Sequence, residues 1–107
     1  RDFNELFSKA EALQAAGCFA IVLEMVQSDI ARKITDFLSI PTIGIGAGPY
    51  CDGQVLVIND ILGMYEDFKP KFVKSYAKIN DEIRKAVKAY KKEVKSGEFP
   101  GDEYSFS

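Results

Sequence analysis

The sequence predicts an α/β fold of parallel strands joined by helices, either a small open sheet or part of a barrel. Two short runs rich in Ile and Val, residues 17–24 and 41–48, flank a segment with helical periodicity. That order is typical of a right-handed βαβ unit. The chain has 107 residues, of which 47% are hydrophobic. It is long enough for one globular domain but well short of the roughly 250 residues of a complete eight-stranded barrel.

The first half of the chain contains a helix, a strand and a second helix. Apolar residues recur at spacings of three and four over residues 2–16, which predicts a helix that Asp2 caps and Gly17 ends. The run 17–24 is short and almost wholly apolar, so we expect a fully buried strand that closes on Glu24. A second helix begins near Ser28 and stops before Pro41.

The second half contains one further strand and a long helix. After the run 41–48, residues 54–59 are predicted to form the third strand, and residues 61–69 a loop with a helical turn. Pro70 suits the first turn of a helix over residues 70–97, which Gly97 ends, with a break or new cap near Asn80. The tail 98–107 is expected to be extended. We therefore predict one incomplete domain, with β/α units in 1–69, the helix in 70–97 and the tail in 98–107.

Composition limits the chemistry that the chain supports. It has no histidine, which removes the commonest general base and transition-metal ligand, so a metal held here would be a hard cation on oxygen ligands. The longest apolar run is about half of a membrane span, and no signal peptide opens the chain, so we expect a cytoplasmic protein with no membrane partner. The chain begins at Arg1, without methionine, which favours a processed product or a piece of a longer protein.

Glu24 is the main candidate for chemistry, because ligands of α/β folds gather at the carboxyl ends of parallel strands. It is either a structural carboxylate that accepts backbone or lysine hydrogen bonds, or a general base. The glycine-rich residues 44–48 lack a complete nucleotide-binding motif. They form either a tight turn or a loop that lets a ligand approach the backbone.

Two other features have structural explanations that we favour. Residues 69–95 contain ten Lys or Arg against three acids, a pattern that a solvated helix face explains better than nucleic-acid binding, since no RNA-binding motif accompanies it. Cys51 and Cys18 are far apart in sequence, and without histidine Cys51 is a poor nucleophile. We expect two free thiols and no nucleic-acid partner.

The order and wording of several motifs carry a resemblance to a known family. They are residues 15–24 (Ala-Ala-Gly-Cys-Phe-Ala-Ile-Val-Leu-Glu), 31–35 (Ala-Arg-Lys-Ile-Thr), 40–48 (Ile-Pro-Thr-Ile-Gly-Ile-Gly-Ala-Gly), 51–57 (Cys-Asp-Gly-Gln-Val-Leu-Val), 70–73 (Pro-Lys-Phe-Val) and 94–100 (Val-Lys-Ser-Gly-Glu-Phe-Pro). Together they closely resemble the C-terminal part of the ketopantoate hydroxymethyltransferases (3-methyl-2-oxobutanoate hydroxymethyltransferases).

The resemblance implies a (β/α)8 barrel of which this chain supplies about three strands. It also implies a homo-oligomer that transfers the one-carbon unit of 5,10-methylenetetrahydrofolate to the keto acid 3-methyl-2-oxobutanoate, for pantothenate synthesis. Glu24 matches the family's catalytic carboxylate, which removes the C3 proton of the keto acid held by Mg²⁺. Substrate-pocket candidates are Gly46, Ala47, Gly48 and Val57. The family's metal ligands precede this segment, so we expect none in this chain, and we expect the chain alone to be inactive.

Three motifs depart from the family pattern. Leu-Glu-Cys-Val-Pro is replaced by Leu-Glu-Met-Val-Gln, ending at Gln27, and a usual histidine is Asn59. Near the end, Glu-His-Ser-Phe is replaced by Glu-Tyr-Ser-Phe. The first two departures, at residues 23–27 and at Asn59, affect the pocket that the resemblance implies. An alternative function is a non-catalytic α/β assembly module that oligomerises through open sheet edges.

Overall fold

A computed structural model describes residues 3–64 and 69–107. The chain divides into two compact units. The first contains the described residues up to Val57 together with Pro70–Lys74, and the second contains the described residues of Ile58–Lys69 together with Ser75–Ser107. The predicted cap Asp2 lies outside the described residues.

The first unit is a parallel β/α structure, as predicted. Its elements are α1 (Phe3–Ala15), β1 (Ile21–Glu24), α2 (Ser28–Phe37), β2 (Thr42–Ile45) and β3 (Gly53–Gln54). The strands are parallel and lie in the order β1-β2-β3, with α2 as the crossover between β1 and β2. Gly17 ends α1 with a φ of 101°, a value that glycine adopts without strain. The predicted βαβ unit is confirmed.

Within the described part of the first unit, one face of this sheet packs on α1 and α2, and the opposite face, called the open face below, does not. Ile21 and Leu23 of β1 are buried in a core built with α1 and α2, whereas Val22 is 59% exposed. The prediction of a strand buried on both faces is therefore wrong for this chain. In the parallel register Val22 pairs with Ile43 and Glu24 pairs with Ile45, so these four side chains share the open face.

The third strand is shorter than predicted. It ends at Gln54, which pairs with Gly44, and the N–H of Val55 makes one more bond, to the Gly44 oxygen, at 3.0 Å. β2 ends at Ile45, and Gly46 then adopts a left-handed φ of 69°. The predicted strand over 54–59 is wrong beyond Gln54, because the neighbouring strand turns away. A helical turn, α3 (Ile58–Ile61), follows, so it ends where the predicted loop over 61–69 begins. Residues 65–68 of that predicted loop lie outside the described residues.

The long helix begins later than predicted. α4 covers Ile79–Ser96, so the predicted helix over 70–97 is wrong for its first nine residues. Hydrogen bonds explain the difference, because the N–H groups of Tyr76 and Ile79 donate to the carbonyls of Ile61 and Leu62 at 2.7 and 3.0 Å. Donors engaged with α3 and the turn after it cannot make the bonds of a helix.

The end of the chain is folded onto α4. Gly97 ends the helix in a left-handed conformation with a φ of 80°, as predicted. The expected extended tail is wrong in part, since Asp102–Tyr104 forms a 3₁₀ turn. The Phe99 ring lies 5.8 Å from the ring of Tyr90 and 5.6 Å from that of Tyr104, measured between centroids. Neither α4 nor any other helix in the described residues has the length and apolar character needed to cross a membrane.

Candidate active site

Glu24 is the last residue of β1, at the carboxyl edge of the parallel sheet. Strand alternation places its side chain on the open face, away from the core residues Ile21 and Leu23. The side chain is exposed, and no hydrogen bond or ion pair in the described ranges engages its carboxylate. The structural interpretation of Glu24, a carboxylate occupied by backbone or lysine donors, is thus not seen within these ranges.

The backbone turns sharply directly after Glu24. Met25 has a φ of 52°, the only left-handed value among the described residues other than glycine. Its N–H donates to the Ile45 oxygen at 2.9 Å, so the turn is tied to the end of β2. A left-handed L-residue costs about 1–2 kcal/mol, and such strain is commonly found at functional sites. The turn therefore fixes the backbone directly after Glu24.

The glycine-rich loop after β2 makes its closest approaches to the protein's own side chains. A Cβ at Gly46 would lie 2.8 Å from Cδ1 of Phe72, and one at Gly48 would overlap Ser28. Both glycines have left-handed φ values, of 69° and 78°. Ala47 between them is fully buried in the core. Of the two interpretations, the tight turn therefore has direct geometric support.

The remaining pocket candidate lies after the third strand. Val57 is 51% exposed and precedes the first residue of α3, Ile58. Because β3 is parallel to β1, Val57 follows the same edge of the sheet as Glu24. The structure thus places Glu24, Gly46, Gly48 and Val57 at the carboxyl ends of three neighbouring strands, whereas the Ala47 side chain points into the core.

A polar network that sequence reasoning missed holds the loop between β2 and β3. The backbone N–H of Thr42 donates to Oδ2 of Asp52 at 2.9 Å, and the N–H of Asp52 donates to Oγ1 of Thr42 at 3.3 Å. Nε2 of Gln54 donates to the Gly48 oxygen at 2.8 Å. The sequence signal was the Asp-Gly-Gln triplet itself, whose two polar residues fix the loop that starts at Gly46.

Both cysteines are free thiols, as expected. Cys51 packs against the core of the first unit, and its Sγ lies 3.0 Å from where a Cβ on Gly44 would be. A half-buried thiol in this position serves packing. The described residues contain no group of three or more His, Cys, Asp or Glu that could hold a metal ion.

Two pockets lie beside Glu24 or the residue that follows it. A groove of about 460 Å³ runs along the free edge of β1 to Glu24, between that strand and α1. A second cavity, of about 550 Å³, lies beyond the ends of β1 and β2 and is closed on one side by Lys71 and Phe72. Sequence analysis had not singled out either of these two residues for the site. Their only signal was their place in the Pro-Lys-Phe-Val motif.

Comparison with known proteins identifies the family of the chain. The sequence model of the family described as ketopantoate hydroxymethyltransferase matches residues 1–102. Proteins named 3-methyl-2-oxobutanoate hydroxymethyltransferase from Caldicellulosiruptor bescii and Syntrophomonas wolfei are 60% and 55% identical over 96% and 97% of the chain. One from Heliobacterium modesticaldum is 59% identical over 96%. The chain covers 39%, 38% and 37% of those three relatives. The chain belongs to the ketopantoate hydroxymethyltransferase family.

Proposed function

We propose that this chain is the C-terminal part of an enzyme that transfers a hydroxymethyl group from 5,10-methylenetetrahydrofolate to 3-methyl-2-oxobutanoate, giving ketopantoate. The observation that carries the proposal is Glu24, an exposed carboxylate at the carboxyl end of a parallel strand with no partner among the described residues. The relatives are named 3-methyl-2-oxobutanoate hydroxymethyltransferase, which supports hydroxymethyl transfer to this keto acid. Since the chain covers 39% of the first of them, the activity belongs to the complete protein.

In the proposed reaction Glu24 is the general base. Its carboxylate takes the proton from C3 of the keto acid, and the electrons of that C–H bond form the enolate. C3 then attacks the methylene carbon as one of its two C–N bonds to the folate breaks. Water replaces the second C–N bond, which leaves the hydroxyl on the product and releases tetrahydrofolate, whose two nitrogens take the proton from C3 and one proton from water. General bases of this kind accelerate reactions by about 100- to 10,000-fold. The fixed turn at Met25 holds Glu24 toward the open face, where the keto acid would lie.

Mg²⁺ is the cation that the family resemblance implies, and the described residues contain no group of three or more His, Cys, Asp or Glu that could hold a metal ion. We therefore propose that its ligands come from the rest of the enzyme. When bound, the cation would supply electrostatic stabilisation of negative charge on the keto acid. The role of this chain is then to supply the base and the walls around it.

We further propose that the first unit is a section of a (β/α)8 barrel. Helices cover only one face of its sheet, and the open face carries Val22 beside Ile43 and Ile45, the apolar character expected inside a barrel. β1 also has a free edge along the groove that ends at Glu24. A preceding strand of the complete enzyme would fill that groove and cover the face.

Exchange of the keto acid's C3 proton with D₂O tests the base directly. The complete enzyme, supplied with Mg²⁺ and keto acid but no folate, should exchange this proton, and Glu24→Gln should slow the exchange by about 100-fold or more. Glu11→Gln, which changes an exposed carboxylate on α1, is the matched control and should exchange normally. Unchanged exchange in a folded Glu24→Gln enzyme would falsify the role of Glu24.

A second candidate function is a non-catalytic module that assembles through its open edge. The free edge of β1 and the exposed Phe19, 89% accessible, favour it. This module would form one defined oligomer as an isolated chain, as measured by sedimentation or light scattering. We favour the enzyme, because the relatives are named as one. We also propose that it is a homo-oligomer, because α4 carries an exposed apolar stripe made of Ile83, Val87, Tyr90 and Val94.

A further inference from the structure

The cavity beside the base has a position suited to a second substrate. It measures about 550 Å³, and its lining includes Met25, Gln27, Gly46, Gly48, Lys71 and Phe72. Met25 directly follows Glu24, and Gly46 directly follows Ile45, which is the register partner of Glu24. The cavity therefore begins directly after Glu24 on β1 and directly after Ile45 on β2.

Among the described residues, its lining combines one lysine with one aromatic ring. Lys71 is the only charged residue among the described residues that line the cavity, and no hydrogen bond or ion pair within the described ranges engages its ammonium group. Phe72 is half-buried, with its ring against Gly46. Because Gly46 has no side chain, the ring approaches the loop so closely that a Cβ there would lie 2.8 Å from Cδ1 of Phe72. This combination suits a ligand with an aromatic ring and a carboxylate.

We propose that this cavity binds the aminobenzoyl-glutamate end of the folate co-substrate, with Lys71 pairing with a glutamate carboxylate and Phe72 contacting the aromatic ring. The inference rests on the proposed function. The volume lies in the range of roughly 300–1,000 Å³ that is typical of pockets for drug-sized molecules, and the keto acid is much smaller than that. With its glutamate at Lys71, the folate would extend its methylene carbon toward the edge of the sheet where Glu24 lies.

The keto acid also has a carboxylate, so the experiment must distinguish the two sources of negative charge. Methylenetetrahydropteroate serves this purpose, because it keeps the pterin and the aminobenzoyl ring but lacks the glutamate. The complete wild-type enzyme should use the folate with a kcat/KM roughly five- to ten-fold above that for the pteroate, the size expected of one net hydrogen bond.

Lys71→Gln in the complete enzyme should remove this preference. The KM for methylenetetrahydrofolate should rise five- to ten-fold, while the KM for the keto acid and the folate-independent D₂O exchange stay unchanged. Lys71→Arg, which keeps the charge, should restore most of the preference. Lys69→Gln, an exposed lysine two residues earlier, is the matched control and should behave as wild type.

Several outcomes would overturn the inference. In one, Lys71→Gln lowers kcat/KM for the folate and the pteroate by the same factor, or changes neither value. In another, it raises the KM of the keto acid alone, which would assign Lys71 to that substrate's carboxylate. Equal binding of tetrahydrofolate and tetrahydropteroate by the wild-type enzyme, measured by titration calorimetry, would overturn it without any variant. Failure of the proposed function is distinguishable, because the wild-type enzyme would then neither exchange the keto-acid proton nor form ketopantoate.

Discussion

Asp52 and Thr42 are joined by reciprocal hydrogen bonds that connect the start of β2 to the loop before β3. The Thr42 N–H donates to Oδ2 of Asp52 at 2.9 Å, and the Asp52 N–H donates to Oγ1 of Thr42 at 3.3 Å. Thr42 is fully buried, and its hydroxyl also lies 2.8 Å from that of Thr35 on α2. The pair thus fixes the glycine-rich loop, which lies between its two members, against the core.

Asp52→Ala should destabilise the complete protein. The substitution leaves the buried N–H of Thr42 without an acceptor, which costs about 1–3 kcal/mol. In a barrel-sized domain each kcal/mol lowers the thermal midpoint by roughly 2–4 °C, which differential scanning calorimetry resolves. Asp36→Ala, at an exposed position on α2, is the control. Equal midpoints for the two variants would contradict the role of Asp52.

Gly48→Ala should be strongly destabilising, and Gly53→Ala should not. A Cβ at Gly48 would overlap Ser28 and require an L-residue at a φ of 78°, which together cost roughly 2–5 kcal/mol. At Gly53 the nearest atom, Cγ1 of Ile43, would be 3.8 Å from the new Cβ, an ordinary contact. The yield of folded protein and the thermal midpoint measure the difference. A Gly48→Ala enzyme as stable as Gly53→Ala would refute this packing.

Met25 is predicted to tolerate asparagine better than isoleucine. Its φ of 52° lies in the left-handed region, which asparagine enters readily and β-branched residues avoid. We expect Met25→Ile to lower the free energy of unfolding by about 1–2 kcal/mol relative to Met25→Asn. Urea unfolding followed by circular dichroism provides the comparison. The reverse order of stabilities would show that side-chain packing, and not backbone conformation, determines this position.

The 107-residue chain alone is predicted to be catalytically inactive. The described residues hold no cluster of metal ligands, and one face of the sheet beside Glu24 is uncovered. Purified chain mixed with Mg²⁺, keto acid and methylenetetrahydrofolate should form no ketopantoate above the uncatalysed rate, as measured by mass spectrometry. The complete enzyme in the same assay is the positive control. Turnover by the isolated chain at an enzyme-like rate would be incompatible with the proposed incomplete site.

The sequence by itself determined the elements whose cause is local. Helical periodicity predicted α1 and α2, and Gly17 marked the boundary between α1 and the apolar run that forms β1. Gly97 predicted the end of α4. The position of Glu24 at a strand end also followed from a short apolar run closed by a carboxylate. Each of these features depends on residues that are close together in the sequence, so the local residue pattern was sufficient to predict it.

Only the tertiary structure decided where β3 stops and where α4 starts. An apolar run such as residues 55–58 is compatible with a strand or a helix. It has no strand partner in the β2–β3 pairing, because β2 ends before Gly46, whose left-handed conformation turns the chain away from the sheet. Pro70 suited a helix start, but the N–H groups of Tyr76 and Ile79 donate to the carbonyls of Ile61, the last residue of α3, and of Leu62, which follows it. Likewise, the left-handed glycines pack against Ser28 and Phe72, which are distant in sequence. Hydrogen bonds and close contacts between distant segments leave no local pattern, and therefore only the folded chain reveals them.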